Sequence, residues 1–510
     1  MEAISSHSSS SDGWAINDSE SDYDEERSYR SREPAPKRLK TDKEDEETLD
    51  RLSALPDSVL LHILSLLPMK DVVKTSALSK KWQYLWTSVH NLIFICDDED
   101  YLLTDGVEKF ISFVHNTLSL CSCTKIEKFL VHFDYCYSDS DVDSWISFAS
   151  ERNVEDLDLK FYGDRDVYPL PQHLFSNSSL RKLKLSLCDF EPSGVISWGS
   201  LKSLSLDNVD LSEDVIEKIL SGCPLLEDLE LSTFSGFSRL NVTSPNLRTL
   251  KLIGHLDFDF DDDAWLEIWA PNLRSLEISG YFYLKCRLVN VSSLVAANLS
   301  FWHSDPVFST DDDEHEEFGN LLLELLESLR HVKELTIGTW CTQVLLILEV
   351  KRLPSTLLQC KCLTLDTHIE NEDLPGIARL LQSSPYLETL VIDISSNDTK
   401  RFPFSREYRN GYIFNGEDYL TSQKRIFECL SQQLKNVIIV DFGKMHSNFE
   451  LKLVQFLLEK ARVLEKMVIN SRRKRSDKCS ECCMSQELFK VAQQLLSFPR
   501  SSPNAKVVFT

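Results

Sequence analysis

Between residues 50 and 95 the large apolar side chains keep a helical beat. Leu55, Val59, Leu60, Ile63, Leu64 and Leu67 recur at short intervals, as an amphipathic helix requires. Pro56 suits a helix start, and Pro68 ends that helix. Val72, Val73, Ser76 and Ala77 predict a second short helix, and Trp82, Leu85, Trp86 and Val89 a third. Three short helices in about forty residues enclose too little core to be stable alone. Their remaining apolar surface must rest on the following domain, on a partner, or on both.

Beyond residue 120 the beat changes. One phrase, apolar-x-x-apolar-x-apolar, recurs in "IEKFLV" (126), "VEDLDL" (154), "LRKLKL" (180), "LKSLSL" (201), "LEDLEL" (226), "LRTLKL" (247), "LRSLEI" (273) and "LVAANL" (294). It continues in "VKELTI" (332), "CKCLTL" (360), "LETLVI" (387), "LKNVII" (434) and "LEKMVI" (464). From 126 to 294 the steps are 28, 26, 21, 25, 21, 26 and 21 residues, the period of leucine-rich repeats. Each unit then supplies a strand and a return segment, and stacking buries the leucine ladder.

Pro224, Pro245, Pro271 and Pro385 each stand just before a strand phrase and would end a return segment. "LSEDVIEKILSG" (211–222) and "LPGIARLLQSS" (374–384) read as short return helices, whereas 309–318 and 396–425 read as insertions. Side chains alternate along a strand, so the residues between the ladder leucines face the concave surface. Those positions include Asp156, Asp158, Lys182, Lys184, Asp207, Asp228, Glu230, Lys251 and Glu277. Asp207, Asp228, Glu230 and Glu277 come from nearby strands with only Lys251 among them, which suits a target presenting a basic segment. The bland alternative is an ordinary solvated face.

The segment "DRLSALPDSVLLHILSLLPMKDVVKTSALSKKWQYLWTSV" resembles an F-box in its Leu-Pro start, its "ILSLLPMKD" centre and its "LSKKWQYLW" end. An F-box followed by such repeats is similar to the plant F-box/LRR proteins, and residues 434–469 resemble the FBD segment that closes many of them. No Trp-x-x-Pro entry precedes Leu434, a departure from the usual FBD pattern.

The resemblance implies an α/β solenoid: a small three-helix F-box, then a leucine-rich-repeat horseshoe. It also implies a non-catalytic substrate receptor of an SCF (Skp–cullin–F-box) ubiquitin ligase. The expected anchors for the Skp-type adaptor are Leu55, Pro56, Leu60, Ile63, Leu64, Leu67, Leu78, Trp82, Leu85 and Trp86. Through the adaptor the chain would reach a cullin-RING core, while the repeats hold a protein target. The rival expectation is a repeat scaffold that binds the adaptor without promoting degradation. The expected segments are a tail at 1–49, the F-box at 50–95, repeats at 120–430 and an FBD-like part at 431–510.

Composition narrows the partners. A formal net charge of −25 disfavours direct binding of nucleic acid or an anionic membrane. "MEAISSHSSS" lacks the apolar core of a secretory signal, and the apolar runs are too short to span a bilayer. The fourteen cysteines then read as reduced thiols inside the cell. Residues 1–50 hold 15 Asp/Glu against 7 Lys/Arg with few large apolar side chains, a composition expected to stay disordered. Within that tail, "PAPKRLK" offers Lys37, Arg38 and Lys40 as a nuclear-import signal or as an incidental basic patch. Nuclear and cytoplasmic locations both fit, the nucleus being favoured, and "RRKR" (472–475) is a second basic run.

No reactive or metal-binding motif survives inspection. Cys479-x-x-Cys482 is half of a zinc site without a second pair. "DFDFDD" (257–262) and "DSDVDS" (139–144) begin like calcium loops, but they lack glycine at position six and glutamate at position twelve, so both read as acidic loops. "DFG" (441–443) has no accompanying catalytic or phosphate loop. No cofactor and no metal are expected.

Overall fold

All thirteen repeat phrases fall on strands of one parallel sheet. The structure, a computed structural model, describes residues 52–96, 106–134, 138–162, 167–255, 265–282, 285–302, 312–367, 369–394, 420, 426–442, 448–471, 489 and 492–510. Contacts divide the chain after Ala54, and Leu55–Thr510 forms one unit.

The repeat strands begin with β1 (Asn91–Ile95), β2 (Lys128–Asp134) and β3 (Asp156–Tyr162). Tiny strands β4 (Tyr168–Pro169) and β6 (Cys188–Asp189) pair beside the sheet and flank β5 (Lys182–Ser186). The ladder continues through β7 (Ser203–Asp210), β8 (Asp228–Ser235), β10 (Thr249–His255), β12 (Ser275–Phe282) and β14 (Ala296–Trp302). It closes with β15 (Glu334–Gly338), β16 (Cys362–Asp366), β17 (Thr389–Asp393), β18 (Asn436–Val440), β19 (Lys466–Ile469) and β20 (Lys506–Phe509). Among the described residues this makes a fifteen-stranded sheet in sequential order. The FBD-like stretch supplies β18 and β19, which extend the same ladder in register.

Burial explains why the phrase makes a strand. Leu157, Leu183, Leu204, Leu229, Leu250 and Leu276 are register partners on successive strands, and each is essentially inaccessible. A half-buried strand alternates inward and outward side chains, so each leucine stacks on the next while the residues between them stay exposed or half-buried.

The other side of the leucine ladder is covered by the return segments. They include α3 (Gly106–Leu120), α4 (Asp139–Glu151), α5 (Glu213–Gly222), α6 (Asp312–Ser328), α7 (Thr339–Val350), α8 (Asp373–Ser383), α9 (Glu428–Gln432) and α10 (Asn448–Lys460). Between α5 and α6 the return segments are strands instead: β9 (Arg239–Asn241), β11 (Trp265–Trp269) and β13 (Lys285–Val289) form a separate parallel sheet. Ser212 caps α5 by accepting from the Val215 amide at 3.3 Å, filling one of the vacant donors of the first turn. In an earlier return segment, the Trp198 indole donates to the Leu174 carbonyl at 2.7 Å and stacks on Phe175.

Two acidic stretches differ from expectation. "DSDVDS" is not a loop but the opening of α4, where Asp139 and Asp141 sit in the first turn; carboxylates are favourable beside the partial positive charge of a helix N-terminus. Within the stretch 309–318 that reads as an insertion, residues 312–318 likewise begin a helix, α6. The other acidic run, 257–262, lies outside the described residues, as do the basic runs at 37–40 and 472–475 and the CxxC at 479–482.

In the F-box region α1 (Asp57–Leu64) follows Pro56, and α2 (Met69–Lys74) follows Pro68. The expected third helix is instead a series of turns ending in a 3-10 turn at Leu85–Ser88. Thr87 donates its hydroxyl to the Tyr84 carbonyl at 2.9 Å, and such local bonds compete with a regular helix.

One irregularity is repeated from strand to strand. Leu187, Asn208, Thr233, Gly254 and Gly280 all have positive φ, between 50° and 82°, and each follows a position that stays in register across β5, β7, β8, β10 and β12. The left-handed residue shifts the alternation by one, as a bulge does. Val209, Phe234, His255 and Phe282 can then turn inward on adjacent strands. The rings of Phe234, His255 and Phe282 pack edge to face and in stacks, with Phe234 and His255 at 5.2 Å.

Of the two glycines in this series, 280 is the more constrained: φ is +82° and an added Cβ would stand 2.9 Å from the Gly254 amide nitrogen. Gly280→Ala is expected to cost about 2 kcal/mol through strain and crowding. Gly254→Ala, whose Cβ has nothing nearer than 3.5 Å, should cost about 1 kcal/mol from the backbone alone. Hydrogen-exchange protection of β10 and β12 measures both; equal losses would refute the crowding at 280.

Candidate functional site

Helix α1 is apolar on two sides. Leu60 and Leu64 are fully buried and pack with Met69, Val72, Trp82 and Trp86 in a core continuous with the first repeats. Val59, Ile63 and Leu66 follow at the spacing of one helical stripe and remain exposed, as do Leu78 and Tyr84. A soluble chain seldom leaves so many large apolar side chains exposed in so short a segment unless something covers them. Lys81 ties the start of α1 to the later turns, donating to the Leu55 carbonyl at 2.7 Å and pairing with Asp57 at 3.2 Å.

The ten sequence-predicted anchors therefore fall into two groups. Leu60, Leu64, Trp82 and Trp86 are at most 8% exposed and belong to the chain's own core. In the chain by itself these four side chains pack inward, which leaves little of their area open to a partner. Pro56, Ile63 and Leu78 are exposed, and Leu55, Leu67 and Leu85 are half-buried. Val59, Leu66 and Tyr84 join the exposed group and were not among the anchors expected from sequence. The signal was present in α1, whose leucine/valine/isoleucine pattern is too wide for one buried stripe.

The concave face reads as three zones along the sheet. First, Asp156 and Asp158 on β3 lie opposite Lys182 and Lys184 on β5. His132 contacts Asp158 at 3.0 Å and Lys128 stands 3.8 Å from Asp156. Burial pushes the Asp156 carboxyl above its ordinary range despite the opposing lysines.

The second zone holds the predicted acidic group. Asp228 and Glu230 project from the same side of β8, and Glu230, Lys251 and Glu277 are register partners on β8, β10 and β12. Lys251 reaches Glu230 at 3.5 Å, and Ser205 donates to it at 3.1 Å. Ser279 donates to Glu277, while Ser186 donates to Asp207 at 2.8 Å one row further along the strands. All four carboxylates thus share one face, with Lys251 between two of them.

The third zone was missed. Val391, Ile438, Val468 and Val508 are register partners across β17, β18, β19 and β20, where earlier strands place charge. They form a β-branched apolar row, flanked by Lys466 and Lys506. The clue lay in "LETLVI", "LKNVII" and "LEKMVI", whose position between the ladder residues is Val or Ile.

Among the described residues no group of three or more His, Cys, Asp or Glu side chains could hold a metal ion, and no helix is long and apolar enough to cross a membrane. The described cysteines are free thiols, most of them buried.

Comparison with known proteins agrees with this architecture. Residues 52–94 match the F-box domain family, and residues 117–501 match the At1g61320/AtMIF1 LRR domain family. In Arabidopsis thaliana, F-box/LRR-repeat protein At5g02910 is 31% identical over 433 residues, covering 82% of this chain and 88% of that protein. F-box/LRR-repeat protein At3g03360 is 32% identical over 380 residues, 72% of this chain and 75% of its own length. F-box/FBD/LRR-repeat protein At1g13570 is 29% identical over 471 residues, 91% and 99% of the two chains. The strand ladder, the helices that precede it and these matches place the chain in the plant F-box/leucine-rich-repeat family.

Proposed function

We propose that this chain is the substrate-recognition subunit of an SCF-type cullin-RING ubiquitin ligase. The observation that carries the reading is the exposed apolar group around α1, Val59, Ile63, Leu66, Leu78 and Tyr84, on a domain whose family docks Skp-type adaptors. In this role the chain performs no part of the ubiquitin-transfer chemistry. It tethers a target near the charged conjugating enzyme, raising the effective concentration of target lysines. Co-purification from plant cells tests this: adaptor together with cullin supports the ligase, whereas adaptor alone supports a scaffold outside degradation. Comparing proteome turnover with and without the chain would then name the target.

The concave face is the proposed target surface, with Asp207, Asp228, Glu230 and Glu277 receiving a basic segment. Adjacent strands stand about 5 Å apart, so neighbouring carboxylates act within one Debye length. Asp228→Lys with Glu230→Lys is expected to slow target association at least ten-fold at low salt and to weaken its salt dependence. Adaptor affinity should not change. Target capture that survives the reversal at both low and high salt moves the recognition surface elsewhere on the sheet.

A further inference from the structure

Two thiols meet where the F-box region joins the repeats. Cys121 and Cys123 follow α3, with their sulfurs 2.7 Å apart. Cys121 is partly exposed and Cys123 is buried. The residue between them is fastened to the last F-box turn. The Ser122 amide donates to the Thr87 carbonyl at 2.8 Å, the Ser122 hydroxyl donates to the same carbonyl at 3.0 Å, and it lies 3.3 Å from both the Thr87 and Ser88 hydroxyls. Arg152, at the end of α4, supplies the nearby positive charge, its guanidinium lying 3.6 Å above the Phe148 ring.

We propose that Cys121 and Cys123 are an oxidative modification site for a hydroperoxide, and that closing their disulfide loosens the fastening of the F-box turn to the repeats. The Cys121 thiolate attacks a peroxide oxygen: an S–O bond forms, the O–O bond breaks, and the peroxide leaves as water or alcohol after taking a proton. Cys123 then attacks the Cys121 sulfenic sulfur. The S–S bond forms, the S–O bond breaks, and the departing hydroxide takes the Cys123 proton to leave as water. Two thiols lose two electrons in all, and one peroxide gains them.

The sulfurs need only a small approach to the bonded distance of about 2 Å. That motion must re-aim Ser122, which is why the hydrogen bonds to Thr87 are at stake. The pair also divides the chemistry between its members. Hydrogen bonding from Cys123 brings the Cys121 thiol down to about 7, while the same contact and burial push Cys123 up. Cys121 is then the attacking thiolate and Cys123 the resolving thiol.

Cys362 on β16 serves as an internal reference, because it is also partly exposed but burial raises its thiol. At pH 7 the larger thiolate fraction of Cys121, offset by its lower intrinsic nucleophilicity, leaves it about five-fold or more faster. The test treats the reduced full-length chain with hydrogen peroxide and follows each site by mass spectrometry. Cys121 is expected to outpace Cys362 and to end as a disulfide with Cys123. Cys123→Ser should trap a Cys121 sulfenic acid that dimedone labels, and Cys121→Ser should give no matching adduct on Cys123. In the oxidised wild type the Ser122 amide should exchange with deuterium several-fold faster. Oxidation of Cys121 no faster than Cys362, failure to close the disulfide, or unchanged Ser122 exchange would each overturn the proposal.

Discussion

Replacing Ile63 and Leu78 together with aspartate should abolish adaptor binding while the repeats stay folded. Their side chains are 37% and 64% exposed, so the charges remain hydrated in the free chain and disturb little. In a docked interface each would be buried among apolar groups, costing about 2 kcal/mol or more per position. Together that is about 4 kcal/mol, close to a thousand-fold in Kd. Trp82→Ala is the informative contrast. At 4% exposure this indole belongs to the core, and its truncation should cost about 3–5 kcal/mol of folding stability. Binding would then fail because the F-box region is lost. Calorimetry with the purified adaptor and circular dichroism separate the two routes. An Ile63→Asp/Leu78→Asp variant that binds normally would remove this face from the adaptor contact.

The second large effect lies far from either surface. Arg379 on α8 is buried, pairs with Glu349 on α7 at 3.5 Å and donates to the Leu353 carbonyl at 3.1 Å and to that of Pro354. It thus fastens two return helices and the loop after the first of them. Arg379→Met keeps much of the volume but strips the cation from a mostly buried carboxylate, which should cost about 3–5 kcal/mol. Adding Glu349→Met removes the stranded charge and should restore at least about 1 kcal/mol of that loss. Denaturant titration of both singles and the double provides the cycle. Strict additivity would mean that the ion pair is not what couples these helices.

The ladder was legible because it needs only a local rule repeated many times: each leucine rests on its equivalent in the next unit. The same rule extends further than the sequence reading took it. Val89, Leu92 and Phe94 fit the phrase and are buried, making β1 the first strand of the sheet. At the other end β20 pairs with β19, but Asn504 stands where the phrase begins with an apolar residue, and this hid the strand. Helix α3 was not read from the sequence, although Phe110, Val114 and Leu118 stand four residues apart and are buried. What no pattern could decide is which side of α1 turns inward. Leu60 and Leu64 alternate with Val59 and Ile63, all of similar hydrophobicity, and only packing against Trp82, Trp86 and the first repeats settles the choice. The left-handed positions were obscure for another reason: Leu187, Asn208 and Thr233 share them with two glycines, so no single residue type marks the place.

The change of return element between α5 and α6 has a mechanical consequence. Where β9, β11 and β13 lie behind β8 to β12, both sides of the solenoid are hydrogen-bonded strands, and each repeat advances about 4.8 Å on either side. Where α6, α7 and α8 pack side by side, neighbouring axes require about 8–10 Å, twice the step of the strands they cover. The excess bends the helix-backed repeats more tightly than the strand-backed ones, where the spacings on the two sides match. Asp228, Glu230, Lys251 and Glu277 therefore stand on an evenly graduated ruler. Only a segment that is itself straight over some three rungs can meet them all at once.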